Sequence, residues 1–149
     1  MSAFITREEI ANAFKPGDHL STFGGNPVSC AAAVVNIRFL KKEEFINDVN
    51  EKGDFIKSQL EILKNRFQLI GEVRGKGLMI GIELVRDQKK KIPANEEGKR
   101  IQDICLENGV LIGLGGVYKN VLRVQPPLVI EKEQIKEALD SLEFAFSKV

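Results

Sequence analysis

Leu69-Ile70-Gly71-Glu72-Val73-Arg74-Gly75-Lys76-Gly77-Leu78-Met79-Ile80-Gly81-Ile82-Glu83-Leu84 is the stretch on which the fold turns. Its apolar residues repeat every second position: Leu78, Ile80, Ile82 and Leu84 alternate, as they do along one face of a β-strand. Leu69 to Arg74 reads as a first strand and Gly75-Lys76-Gly77 as a turn, so the whole predicts an antiparallel hairpin.

Before the hairpin the period is helical. Phe45, Val49, Ile56, Leu60, Leu63 and Phe67 recur at spacings of three, four or seven, and Lys52, Lys57, Glu61 and Lys64 form a solvated face. After it, Ile92-Pro93-Ala94-Asn95 reads as a connection. A helix from Glu96 to Glu107 follows, with Ile101, Ile104 and Cys105 inward and Asn108-Gly109 as its C-terminal stop. Val110 to Ile112 reads as a short strand, Gly113 to Asn120 as a glycine-rich loop and Val121 to Val124 as another strand. Gln125-Pro126-Pro127 turns the chain into a last helix, Glu131 to Lys148, striped by Ile135, Leu139, Leu142 and Phe146. The order α-β-β-α-β-β-α predicts an α+β layer of helices on a small sheet.

The N-terminal part has another character. Met1 to Ile5 reads as a strand end. Thr6-Arg7-Glu8-Glu9 has the capping-box arrangement, which predicts a helix from Arg7 to Phe14. Lys15-Pro16-Gly17-Asp18 breaks it, and His19 to Pro27 is a loop of small and polar residues. Pro27 opens a helix to Phe39 whose Ala31, Ala32, Ala33, Val34 and Val35 make it apolar nearly all round, which predicts burial.

The 149 residues suffice for one domain-sized core. With 22 basic and 21 acidic side chains interspersed, no concentrated cation excess points to nucleic acid, and Lys89-Lys90-Lys91 reads as a solvated loop. The run Ala31 to Val35 stops at Asn36, far short of the ~20 residues that span a bilayer, and no leader precedes Phe4. A cytoplasmic protein is expected, with neither nucleic acid nor membrane as partner. Cys30, Cys105 and the single His19 cannot close a zinc site of usual spacing, so buried reduced thiols are expected.

Gly75-Lys76-Gly77 and Gly113-Leu114-Gly115-Gly116 complete neither the dinucleotide fingerprint nor a phosphate loop, and read as turn glycines. The segment His19-Leu20-Ser21-Thr22-Phe23-Gly24-Gly25-Asn26-Pro27 sets two hydroxyls and two glycines just before a helix N-terminus. That arrangement serves either a phosphate or only helix capping and turn formation. Arg123, in the apolar run Val121-Leu122-Arg123-Val124 and beside two prolines, either points to solvent or is held as a fork for a carboxylate.

These same segments carry a resemblance. His19 to Pro27 followed by Cys30-Ala31-Ala32-Ala33, then Arg74 to Leu84, then Leu122-Arg123-Val124-Gln125-Pro126-Pro127-Leu128-Val129-Ile130, resemble in order three segments of the class III pyridoxal-phosphate-dependent aminotransferases. The types resembled are the 4-aminobutyrate, alanine–glyoxylate and acetylornithine enzymes.

The resemblance implies that residues 1–39 are the tail of a large domain with a cofactor-phosphate loop and linking helix. Residues 40–149 are then the small C-terminal α+β domain of a fold-type I aminotransferase, its sheet largely antiparallel. It implies pyridoxal 5'-phosphate as cofactor, Ser21 and Thr22 as cofactor-binding residues, and Arg123 as the ligand of a substrate carboxylate. Thr22 is expected to reach the cofactor phosphate of the neighbouring subunit of a homodimer. The reaction implied moves an amino group from an ω-amino acid such as 4-aminobutyrate, or from alanine, to a 2-oxo acid.

In that family the Schiff-base lysine and the aspartate on the pyridine nitrogen lie upstream of the segments matched. Lys15, Lys41, Lys42 and Lys76 match neither, so the chain is expected to hold no catalytic residue, to be inactive alone and to need the large domain as partner. The alternative of another class is a non-catalytic small-domain module that binds a carboxylate ligand or a partner chain.

Overall fold

The hairpin is built on side chains that leave water on one face only. The computed structural model describes residues 4–149, which separate into a unit ending at Phe45 and a unit Ile46–Val149. In the second unit β1 (Ile70–Lys76) pairs antiparallel with β2 (Met79–Asp87). β2 pairs on its other side with β5 (Val121–Val124), and β5 with β4 (Gly113–Gly115). The sheet order is β1-β2-β5-β4, with the two-residue β3 (Ile92–Pro93) on β2. Every pairing is antiparallel.

Ile80, Ile82 and Leu84 of β2 and Leu122 of β5 are buried together with Ile56, Leu60 and Leu63 of α3 (Glu43–Arg66), Ile101 and Cys105 of α4 (Asn95–Glu107), and Ile135 and Leu142 of α5 (Lys132–Phe146). Burying a side chain of this size contributes about 1.5–3 kcal/mol, against about 0.2–1 for a cross-strand pair. The core face therefore fixes the register, because a one-residue slip would turn Ile80, Ile82 and Leu84 to solvent. The arrangement is α+β, as the periodicity predicts. α5 starts with a capping box between Glu131 and Gln134, and Phe67 stacks on Phe146 at 5.6 Å.

Several local expectations shift. The hairpin turn is tighter than predicted: β1 runs through Lys76, which pairs with Met79, leaving Gly77 and Leu78 as the loop. Gly77 supplies a positive φ at the first loop position, which a two-residue loop matched to the strand twist needs. Val110–Ile112 is not a strand, whereas the first three residues of the expected loop, Gly113–Gly115, are. Ile92–Pro93 pairs rather than merely connecting. In α4, Ile104 is half-buried and Asn108 with Gly109 (φ 80) ends the helix as expected.

In the first unit α1 is only Glu8–Ala11, with Arg7 at its N-cap and no side-chain cap, so the Thr6 capping box does not form. A single turn with nothing buried has too little packing to propagate. The expected strand end falls partly on Met1–Ala3, outside the described residues, and Phe4 and Ile5 are irregular. α2 (Pro27–Leu40) begins at Pro27 as read, yet none of its residues is buried. The expectation of a buried helix is thus corrected: Val34, Val35, Ile37 and Phe39 are all exposed, although Phe39 meets the Phe45 ring edge-on at 4.8 Å. Cys30 is half-buried rather than buried, while Cys105 is buried as expected.

One ion cluster ties sheet to helix. Arg86 at the end of β2 donates from Nε to Glu97 and from Nη2 to Glu96, both at 2.7 Å, in the first turn of α4. The hydrogen bond from Arg86 holds the Glu97 carboxyl below its ordinary 4.5, against the opposing effect of partial burial. A carboxyl whose folded pKa is lowered stabilises the fold above its unfolded value and loses that contribution as pH falls through the folded one. Arg86→Gln should therefore lower the urea midpoint at neutral pH, and its gap to the parent should close as pH is taken below 4.5; unfolding curves at pH 7 and pH 3 check this.

Candidate functional site

The face of the sheet turned away from the core follows from the register. Pairing puts Arg74, Gly81, Arg123 and Gly113 in one row across four strands, and Glu72, Glu83, Val121 and Gly115 in the next. Two arginines thus share a face with two glutamates.

They are not equivalent. Arg74 donates from Nη1 to Glu72 at 2.8 Å and to Glu83 at 2.6 Å, and the Glu83 hydrogen bond, chief among the causes, raises its pKa. Arg123 makes no ion pair with an acidic side chain among the described residues. It borders a groove of ≈ 850 Å³ whose walls include Gln102, Gln125, Pro126, Gln134 and Glu137. Of the two readings open for Arg123, the exposed one describes its side chain, and the groove beside it leaves room for a ligand.

Two polar contacts that pattern reading missed brace the segments before and after β4. Asn120, buried, donates from Nδ2 to the Leu84 carbonyl at 2.9 Å, while its own carbonyl accepts from Leu84 N at 2.8 Å. Gln102 donates to the Ile112 carbonyl at 2.9 Å, holding the segment that leads into β4. An Asn at the foot of a glycine-rich loop was the available signal for the first of these.

The hydroxyl loop lies in the other unit. Ser21 and Thr22 are exposed in a run of bends, and Gly25 takes φ 71. Asn26 is the N-cap of α2: its Oδ1 accepts from Val28 N at 3.0 Å and Ser29 N at 3.2 Å. The capping reading therefore holds for Asn26, which occupies amides that an anion would otherwise use. Among the described residues neither the Ser21 nor the Thr22 hydroxyl has a hydrogen-bond partner, so the donor set fits one side of a phosphate through hydroxyls rather than through the helix end. Thr22 and Arg123 belong to different units.

Burial pushes the Cys105 thiol up, opposed by the nearby Ser141 hydroxyl, which leaves a protonated core residue rather than a nucleophile. Among the described residues no group of histidine, cysteine and carboxylate side chains could hold a metal, and no helix is long and apolar enough to cross a membrane.

The fold is one found in aminotransferases. A Bacillus anthracis aminotransferase superposes with a TM-score of 0.82 at 35% identity, over 96% of this chain and 34% of that one. The family can then be stated: the model described as aminotransferase class-III matches residues 1–146, and the chain belongs to that family. It is 38% identical over 149 residues to alanine–glyoxylate aminotransferase 2 homolog 2, mitochondrial, of Arabidopsis thaliana, covering 100% of this chain and 31% of that protein. It is 39% identical, again over 149 residues, to leucine/methionine racemase of Thermococcus litoralis, covering 100% of this chain and 33% of that protein. The chain thus spans about a third of the length of these curated relatives.

Proposed function

We propose that this chain supplies the substrate-carboxylate arginine and a cofactor-phosphate loop to a class III aminotransferase that uses pyridoxal 5'-phosphate and moves an amino group from an ω-amino acid or alanine to a 2-oxo acid. The observation that carries the reading is Arg123, a strand guanidinium beside a groove and without an acidic partner among the described residues, on a face where Arg74 is already paired. A planar fork of donors pairs best with a carboxylate. Amino acid and 2-oxo acid both carry one, so a single fixed arginine serves both halves of an exchange.

When bound, pyridoxal phosphate supplies the electron sink for bond changes at the amino-bearing carbon. The residues of this chain bind and orient. Ser21 and Thr22 would donate hydroxyl hydrogens to the phosphate, Thr22 to that of the second subunit of a homodimer. Arg123 would grip the carboxylate and so fix how far the reacting carbon lies from the cofactor ring, which is where positioning lowers a barrier. Lys15, Lys41, Lys42 and Lys76 are given no covalent role: Lys15 sits in a turn closed on Asp18, Lys41 caps α2 and Lys76 ends β1. That role is assigned to the remainder of the intact enzyme.

The 149-residue chain with pyridoxal phosphate should therefore give no transamination and, after borohydride, no reduced adduct on one particular lysine. A site-specific adduct with turnover would overturn the division of labour. In the intact enzyme, exchange of an amino group between alanine or 4-aminobutyrate and a 2-oxo acid is expected. Loss of optical purity in one amino acid without a 2-oxo acid would place the chemistry with the racemase relative, and carboxylate binding without turnover would make the chain a binding module. Thr22→Ala in the intact enzyme should weaken cofactor binding about tenfold to a hundredfold, in line with the ~1.5–3 kcal/mol of a hydrogen bond to a charged group, with kcat unchanged at saturating cofactor. An absorbance titration measures it.

A further inference from the structure

Three glycines surround Arg123, and backbone conformation does not explain the two on β4. Gly113 and Gly115 are absent from the positive-φ residues, unlike the turn residue Gly116 at φ 84, so their backbone would accept any L side chain. Glycine inside a strand weakens it by about 0.5–1 kcal/mol, and two in a three-residue edge strand are a standing cost unless a close approach requires them.

The close approach is made by Arg123 itself. A Cβ added at Gly113 would stand 3.2 Å from Arg123 Nε, 3.4 Å from its Cβ and 3.4 Å from Nη2. One added at Gly115 would stand 3.3 Å from Nε and 3.6 Å from both Cδ and Cζ. The Arg123 side chain thus lies along β4, in the space that two side chains would fill. The third glycine, Gly81, is its cross-strand neighbour on β2, yet a Cβ there would meet only Val121 and the Arg74 carbonyl within 4 Å. The guanidinium has turned onto β4, and no atom of Arg123 lies within 4 Å of where a Gly81 Cβ would stand.

We propose that Gly113 and Gly115 are positioning residues for substrate recognition: their bare backbone is the seat that holds the Arg123 guanidinium along β4, leaving its open side for the substrate carboxylate. This rests on the reading of Arg123 as the carboxylate ligand. Filling the seat tilts the fork, and tilting the fork weakens a bidentate contact without touching the rest of the site.

Two measurements test the seat and its use separately. In the 149-residue chain, the ¹⁵N relaxation of the Arg123 Nε–H reports how firmly the side chain is held. Gly113→Ala, Gly115→Ala and the pair should each loosen it, with backbone amide shifts of β2 and α5 unmoved, whereas a side chain equally mobile in parent and variants overturns the seat. In the intact enzyme, the double variant should raise KM for carboxylate-bearing substrates about fivefold to twentyfold while leaving kcat within about twofold and leaving carboxylate-free amines unaffected. On an Arg123→Ala background the same two substitutions should add nothing.

If Arg123→Ala raises KM and the glycine variants do not, the seat is refuted while the carboxylate reading stands. If Arg123→Ala itself leaves KM unchanged, the carboxylate reading falls, and the proposed role in recognition falls with it. Should the double variant fold poorly, Gly115→Ala alone, with its looser contacts, carries both measurements.

Discussion

Gly53→Ala is expected to destabilise the second unit by about 1–3 kcal/mol, although alanine is the better helix former by ~1 kcal/mol. Gly53 lies buried in the middle of α3, and the loop of the hairpin runs directly over it. A Cβ there would overlap the carbonyl group of Gly77 and stand 2.8 Å from its Cα, so it meets backbone rather than a side chain that could swing aside. Gly77 cannot retreat cheaply, because its φ of 53 is what closes the two-residue loop and pairs Lys76 with Met79. Either α3 lifts from the sheet, exposing parts of Ile56 and Leu60, or the hairpin loop opens; each sacrifices contacts worth more than the gain in propensity. Urea unfolding of the chain followed by far-UV circular dichroism gives the number, and a variant as stable as the parent would show that α3 does not depend on this contact.

Arg123→Ala in the intact enzyme should raise KM for the 2-oxo acid by about tenfold to a hundredfold, the equivalent of ~1.5–3 kcal/mol for a lost charge-assisted pair. Stability should scarcely change, since the side chain is exposed, makes no ion pair among the described residues and rests on glycine backbone. A variant that loses stability but not affinity would return Arg123 to a structural role. Arg123→Lys should recover only part of the loss, because an ammonium offers a point charge where the guanidinium offers two parallel donors. Steady-state kinetics on both variants, with a carboxylate-free amine as control, separate these outcomes.

The hairpin, β5 and the three large helices were legible in the sequence because each buries one side only. Alternation in Leu78 to Leu84 and helical spacing in Val49 to Leu63 are the direct imprint of that burial. β4 was not legible. Val110-Leu111-Ile112 has the branched side chains of a strand, yet Leu111 is exposed, and the strand is Gly-Leu-Gly, which has almost no β propensity. What makes it a strand is its antiparallel pairing with β5, Gly113 opposite Arg123 and Gly115 opposite Val121, a tertiary cause that local composition does not carry. Likewise the apolar stretch of α2 correctly announced a helix but said nothing of what covers it, and none of its residues is buried. Of the site, Arg123 stood out as a cation in an apolar run. That Glu72 shares a face with Arg74 follows from their spacing of two, whereas the engagement by Glu83 depends on a pairing register no linear spacing reveals.

That engagement has an evolutionary side. Of the two arginines on this face, Arg123 has no acidic partner among the described residues, while Glu83 and Glu72 hold the other. Glu83 to Gln takes a single base change, and it would remove the partner that dominates the hold on Arg74. With Glu72 changed likewise, a second guanidinium would become available two strands away, about 10 Å from the Arg123 backbone. The distance in mutational steps between a surface that receives one negative group and a surface that receives two is thus set by the two glutamates that hold Arg74.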